Sequence, residues 1–236
     1  MIKNSMVPLY QQLAEKIKAQ IEEGNLQVGD KLPTEAEFSQ QFEVSRITVR
    51  KAIELLAEDG FLLRKQGIGT FVAEKRLNRV MENRIESFTD MSRMDGCQPS
   101  AELISVGWIV ADASIVRHLE VEEDAKVLRV VRLRKNDGQP VMIEESYYPE
   151  RLGFLMQENL LGSTYEMFRK RGLEPTHSKK TVEICYADKE EAAHLGVVEN
   201  QALILQKDEV TDQNGEMLHY SKLIINPERY RLTVIV

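Results

Sequence analysis

Apolar residues recur every fourth position at Leu9, Leu13, Ile17 and Ile21, with Ala14 beside them. That is the one-sided stripe of an amphipathic helix. Pro8 suits the first position of this helix, where a missing N–H costs nothing, and Gly24 supplies a stop. After the turn Gly29-Asp30 and the pair Leu32-Pro33, the run Thr34-Glu35-Ala36-Glu37 has the spacing of a capping box. A short second helix is therefore predicted from 34 to about 42. Ser45 then caps a third helix, with Val49, Ala52, Ile53 and Leu56 on its apolar face and Arg46, Ile47, Arg50 and Lys51 pointing away. Two short helices this closely joined read as a helix-turn-helix. Gly60 ends the third helix. Two short strands, 61–65 and 70–72, then flank Gln66-Gly67-Ile68-Gly69, a hairpin whose glycines allow a tight tip and close backbone approach.

Beyond this point the pattern changes. Residues 74–84 are polar (Glu74, Lys75, Arg76, Asn78, Arg79, Glu82, Asn83) and read as a connector. The expected organisation is an N-terminal domain over 1–75, a linker over 76–86 and a second domain over 87–236. The second domain contains an internal repeat. Ala111-Asp112 with His118-Leu119-x-Val121 recurs as Ala187-Asp188 with His194-Leu195-x-Val197, an offset of 76 residues. Each copy follows a strand-like run (103–110; 181–186). Each precedes an apolar strand (127–134; 202–210), a turn (136–138; 212–215) and a further strand (141–148; 217–225). Helices near 150–158 and 163–171 join the copies. The predicted fold is α+β: a winged helix-turn-helix, then a mixed, mostly antiparallel sheet with pseudo-twofold symmetry. A cleft between duplicated halves is a natural ligand site.

Composition adds limits. The chain has 236 residues, enough for a core in each of two domains, and 42% of them are hydrophobic. No apolar run is long enough to span a membrane, and the start has no apolar leader. Cys97 and Cys185 are far apart and unpatterned, which argues against a disulfide scaffold or a zinc site and fits the cytoplasm. The net charge of −7 looks wrong for a nucleic-acid binder. However, residues 1–76 carry 11 basic and 11 acidic residues, so all of the excess lies in the second part. Local clustering decides phosphate binding, and no acidic residue occurs over 44–53.

The residues that suggest chemistry fall into two groups. On the third helix Arg46 and Arg50 can reach base edges in the major groove, and Ser45 and Thr48 are short hydroxyls suited to phosphates. The alternative is that these charges are only the wet face of a surface helix. The adjacent hairpin, with Lys65, Gly67 and Gly69, favours a DNA-binding wing. In the second domain Arg132 and Arg134 leave one face of a strand, where the second copy has Asp208 and Val210. They form either an anion clamp or ion pairs with Glu144 or Glu145 on the neighbouring strand. Ser163-Thr164-Tyr165 starts a helix, and Ser87-Phe88-Thr89 another. His118 and His194 read as helix-end packing, and Trp108 as core. His177 and His219 lack a metal-spaced partner, and no nucleophile, cofactor loop or metal site is recognisable.

The motifs Pro8-Leu9-Tyr10-x-Gln12, Gly24-x-Leu26-x-x-Gly29-x-x-Leu32-Pro33-Thr34-Glu35, Val44-Ser45-Arg46-x-Thr48-Val49-Arg50-x-Ala52 and Gly67-x-Gly69-Thr70-Phe71-Val72 occur in order. Over 6–73 the chain thus resembles the DNA-binding domain of the GntR superfamily. The resemblance implies base reading by Arg46 and Arg50 and a wing glycine, Gly67, in the minor groove. Thr34, Glu35, Ser45, Thr48, Lys65 and Gly69 complete the expected DNA-binding set. Members often carry a further base-reading arginine where this chain has Ala36. From about 82 to 236 the chain resembles the effector-binding (UTRA) domain of the HutC/FarR subfamily, which has a chorismate-lyase-like fold. By resemblance, Arg132, Arg134, Ser163 and Tyr165 hold a phosphate, Glu144 meets a sugar, and Ser87, Phe88 and Thr89 close over it. The stretch Ile225-Asn226-Pro227-Glu228-Arg229-Tyr230 departs from the usual pattern. The expected protein is a homodimeric repressor of a palindromic duplex operator, released by a small anionic effector such as a phosphosugar. It needs no cofactor, metal or membrane and is not an enzyme. The alternatives are the same build sensing an amino acid, fatty acid or phosphonate, and a lyase-like enzyme.

Overall fold

The structure is a computed structural model that describes residues 7–65, 67–73, 77–81 and 85–234. Gln66, the leader at 1–6 and part of the connector (74–76 and 82–84) lie outside the described residues. The chain divides into two compact units, Met1–Arg76 and Leu77–Val236.

In the first unit α1 (Leu9–Glu22) buries Leu13, Ala14 and Ile17. Leu9, expected on the same stripe, is instead half-exposed, because it opens the helix before any neighbour covers that turn. Pro8 stands just before the helix in extended backbone. α2 (Glu35–Phe42) carries the full capping box: Thr34 accepts from the Glu37 N–H, and Glu37 accepts from the Thr34 N–H. α3 (Arg46–Glu58) starts at the Ser45 cap and buries Val49, Ala52, Ile53 and Leu56. These pack with Leu13, Ile17, Leu32 and Phe38 into one apolar cluster. β1 (Leu62–Lys65) and β2 (Gly69–Val72) form an antiparallel hairpin.

The second unit opens with β3 (Leu77–Met81), within the stretch expected to be a linker. The expectation fails there for a long-range reason. β3 pairs in parallel with the last strand, β10 (Tyr230–Val234), and period-2 patterning in five residues cannot reveal a partner that remote. α4 (Phe88–Met94) follows, then β4 (Pro99–Val110), α5 (Ala113–Leu119), β5 (Lys126–Asn136) and β6 (Gln139–Pro149). A 3-10 helix (Glu150–Gln157) and α6 (Thr164–Arg169) lead to the second copy: β7 (Pro175–Tyr186), α7 (Lys189–Leu195), β8 (Ala202–Asp212) and β9 (Met217–Ile225).

The main sheet has the order β4-β5-β6-β9-β8-β7, and every pairing in it is antiparallel. The only parallel pairing among the described residues is the separate β3–β10 ribbon. The central pair β6–β9 joins the two repeats, with Ser146 opposite Ser221. Each repeat's helix packs on the other repeat's central strand, α7 on β6 and α5 on β9, and α5 also touches β6 of its own repeat. His118, in the last turn of α5, lies 2.6 Å from Glu209 on β8 and stacks on Tyr220. Its role is thus packing between halves. The opposite sheet face is covered by the 3-10 helix and α6 around Leu128, Val130, Tyr148 and Phe168. Phe88 and Met91 of α4 join Tyr230 over Met142 and Leu223. Trp108, expected in the core, is 42% exposed. Its strand is a sheet edge, and its ring lies against Gly153, where an added Cβ would meet it at 3.1 Å.

Candidate functional site

Two sites emerge, one in each unit. The first lies on the exposed side of α3. Ser45 caps the helix by accepting from the Thr48 N–H, and the two hydroxyls lie 2.9 Å apart. One of them donates to the other, which leaves one outward donor for a phosphate. The hydroxyls therefore set the helix start first and are available to a ligand second. Arg46 is exposed and makes no ion pair among the described residues. Arg50 is exposed but held: its Nε and Nη2 donate to the Glu35 carboxylate at 2.9–3.2 Å. Glu35 also faces Arg64 of β1 at 3.7 Å, and Arg64 faces Glu54 of α3 at 3.6 Å. The hydrogen bond from Arg50 holds the Glu35 carboxyl below its ordinary range, against a smaller opposing effect of burial.

Glu35 is thus a brace joining α2, the third helix and the wing. Thr34 is likewise a cap, with its N–H and hydroxyl both given to Glu37. In the wing Gly67 (φ 73°) and Gly69 (φ 143°) adopt backbone that side chains resist. A Cβ on Gly69 would sit 2.6 Å from the Lys31 side chain. Lys65 lies over the Phe71 ring with its ammonium 5.3 Å from the centroid. The result is a face with Arg46, Arg50, Lys51, Arg64 and Lys65 against Glu35 and Glu54.

The second site is a cavity over the main sheet, between the starts of α4 and α6. Of the expected effector residues, Ser87, Phe88, Arg134, Glu144 and Tyr165 line it. Arg132, Ser163 and Thr89 do not, although all three are buried. Ser163 caps α6 and donates to Ser87, the cap of α4, so the two helix starts are tied together. Arg132 lies beneath the wall. It donates to the Leu160 carbonyl at 2.8 Å, the Thr164 hydroxyl at 2.9 Å and Glu144 at 3.0 Å, and its Nε is buried without a partner.

The pairing of these arginines with a carboxylate, left open by the sequence, takes a definite form. Cross-strand register puts Glu144 opposite Arg132, and Glu144 receives Arg134 Nε at 2.5 Å as well. Glu145 is taken by Arg129. One carboxylate therefore faces two buried guanidiniums, an excess of one positive charge at this end of a cavity whose lining also holds Glu86 and Asp208. Burial works to raise the Glu144 pKa, but the fields of Arg132 and Arg134 and the Arg134 hydrogen bond outweigh it, leaving a value of about 2. Burial, aided by the Arg132 charge, shifts Arg134 downward. Its guanidinium also lies over the Phe88 ring at 5.6 Å.

Sequence reasoning missed most of the lining, including Glu86, Tyr148, Thr164, Asp208, His219 and Ser221. Asp208 was visible as the counterpart of Arg132, but nothing placed it at a site. His219 is buried, and burial lowers its pKa to about 4, so it is neutral near pH 7. It bridges Tyr165 (3.3 Å) and Ser221 (2.8 Å). Ser221 meets Ser146 at 2.8 Å. No group of residues able to hold a metal occurs among the described residues.

Comparison with known proteins accords with this geometry. The model for bacterial regulatory proteins of the gntR family matches residues 9–72, and the UTRA domain model matches 95–231. The HTH-type transcriptional repressor NagR of Bacillus subtilis is 31% identical over 97% of this chain and 94% of its own length. A probable fructoselysine utilization operon transcriptional repressor of Escherichia coli is 31% identical over 96% of this chain and 93% of its own length. Among solved structures, PhnF from Mycobacterium smegmatis is similar at a TM-score of 0.82 and 26% identity, over 97% of this chain and 99% of that one.

Proposed function

Because the chain belongs to the gntR family of bacterial regulatory proteins and carries a UTRA domain, we propose that it is an effector-released repressor of a palindromic operator. The family and the curated relatives are transcriptional regulators, and this chain is one of them rather than an enzyme. Arg46 and Arg50 read base edges in the major groove, Gly67 and Gly69 bring the wing backbone to the adjacent groove, and Ser45, Thr48 and Lys65 meet phosphates. Thr34 and Glu35 act at one remove, by holding α2 and Arg50. A homodimer presents two copies of α3 to one duplex, and the protein works in the cytoplasm.

The effector is a small anion, and a phosphosugar fits best. The observation that carries this reading is the single Glu144 carboxylate set against two buried guanidiniums. A buried unmatched charge is costly, and a phosphate ester supplies the missing negative charge with several acceptor oxygens. Ser87, Phe88 and Tyr165 line the space around that anion, and Ser163 and Thr89, buried behind it, hold the two helix starts in place. The relatives include a repressor of a sugar-derivative operon, which supports the sugar part of the reading.

The test is operator binding followed by fluorescence anisotropy during titration with a panel of sugar phosphates. At least one of them should release wild-type protein, while Arg134→Ala should bind operator normally and fail to be released. An Arg134→Ala protein released at wild-type concentrations would exclude the clamp.

A further inference from the structure

The sheet was built by duplication, yet its two halves do not present the same chemistry to the cavity. Position 132 on β5 is arginine, and its counterpart 76 residues later on β8 is Asp208. Asp208 is buried and lines the cavity. It is held rigidly, accepting from Ser178 at 2.5 Å with Lys180 Nζ at 3.0 Å. Its cross-strand partner is Ser221, which is tied in turn to neutral His219. Gln206, two residues earlier on the same face, is fully buried with neither end of its amide hydrogen-bonded, although it lies behind the cavity lining rather than in it. β5 and β8 are separated by β6 and β9, so the two poles stand about 14 Å apart at the backbone.

We propose that the cavity has a second recognition pole, centred on Asp208 with Ser221 and His219, that reads neutral hydroxyl groups on the end of the effector remote from its anion. The inference rests on the anion-clamp reading above and names the other half of the same ligand. The charge balance selects the chemistry. Lys180 already matches the Asp208 charge, so an incoming ammonium would be set beside another ammonium and repelled. A hydroxyl instead uses a free acceptor lone pair of the carboxylate without adding charge. Ser221, already bonded to Ser146 and His219, keeps one hydrogen-bonding position for such a hydroxyl, and His219, with both ring nitrogens engaged, holds Ser221 in place. An effector that is anionic at both ends would meet the carboxylate and be rejected. The pole therefore selects a polyhydroxylated monophosphate over a bare phosphate or a phosphate on a hydrocarbon chain.

Calorimetric titration of the full-length protein with inorganic phosphate, hexyl phosphate and a set of hexose 6-phosphates tests this. For wild-type protein at least one hexose 6-phosphate should bind 10-fold or more tighter than hexyl phosphate. In Asp208→Asn that advantage should vanish while hexyl phosphate affinity stays within about twofold. If wild-type binds hexyl phosphate as tightly as every hexose 6-phosphate, the second pole is overturned while the clamp survives, and this comparison needs no variant to fold. The pole is equally overturned if Asp208→Asn keeps the full advantage, or weakens hexose and hexyl phosphates alike. Arg134→Ala separates the two readings, since it should weaken all the phosphates together. Wild-type protein that binds no phosphate at all would overturn the clamp and this inference with it.

Discussion

Glu144 and His219 share one cavity wall and respond to pH in separate windows. Glu144 titrates at about 2 in the folded protein, below its ordinary 4.5. Its contribution to stability is complete above about pH 4.5 and is lost as pH falls from there toward 2. His219 titrates at about 4 instead of 6.5. Below pH 6.5 the unfolded chain takes up a proton that the folded protein refuses, so stability falls as pH drops from 6.5 to 4, by about 3 kcal/mol in all. Denaturant unfolding between those pH values should show a shallower loss for His219→Asn than for wild-type protein. Parallel curves would show that another group titrates there. The sequence could not reveal this role, because His219 has no motif around it. Only the register of β9 against β8 and its hydrogen bond to Tyr165 make it part of a site.

At the scale of elements the helix starts carry most of the order near both sites. Ser45 fixes the first turn of α3, and its replacement by alanine should cost about 1 kcal/mol of stability, measured by chemical denaturation. The Glu35–Arg50 pair behaves differently. It is largely exposed, and exposed pairs contribute about 0–1 kcal/mol. Its value is positional, because it fixes the direction of the Arg50 guanidinium, the group proposed to read a base. Glu35→Gln should therefore leave the melting temperature almost unchanged and relax sequence preference at one operator base pair. A selection of operator variants would measure this, and unchanged preference would exclude the brace. The capping box at Thr34 and the wing glycines were legible in the sequence, since caps and turns are set by residues within four positions of one another. The link from Glu35 to Arg50 and Arg64 was not, because it joins three elements.

For the molecule as a whole, duplication gives one sheet with unlike halves, and the repeat's sequence offset carried through to matched strands and helices. What duplication did not reveal is that each helix reaches across to the other copy's central strand, α7 to β6 and α5 to β9. If two protomers read a palindrome, the half-sites must lie on one side of the duplex. Inserting about 5 base pairs between them should abolish tight binding, and inserting about 10 should restore much of it. Gel-shift titration with both operators decides the matter, and equal binding to each would argue for one protomer per site. Sedimentation of the free protein should give twice the 27.1 kDa of one chain.

The sequence by itself determined the helix-turn-helix, its wing, the duplicated order of strands and helices, and the arginine pair, because each depends on periodicity, capping or turn chemistry within a short window. Tertiary structure decided which charges meet. Glu144 neutralises one of two arginines, Asp208 stands on β8, two strands (β6 and β9) away from them, and β3 abandons its linker role for a partner at the other end of the chain. Strand register and remote packing settle such meetings, and neither is written in any local run of residues.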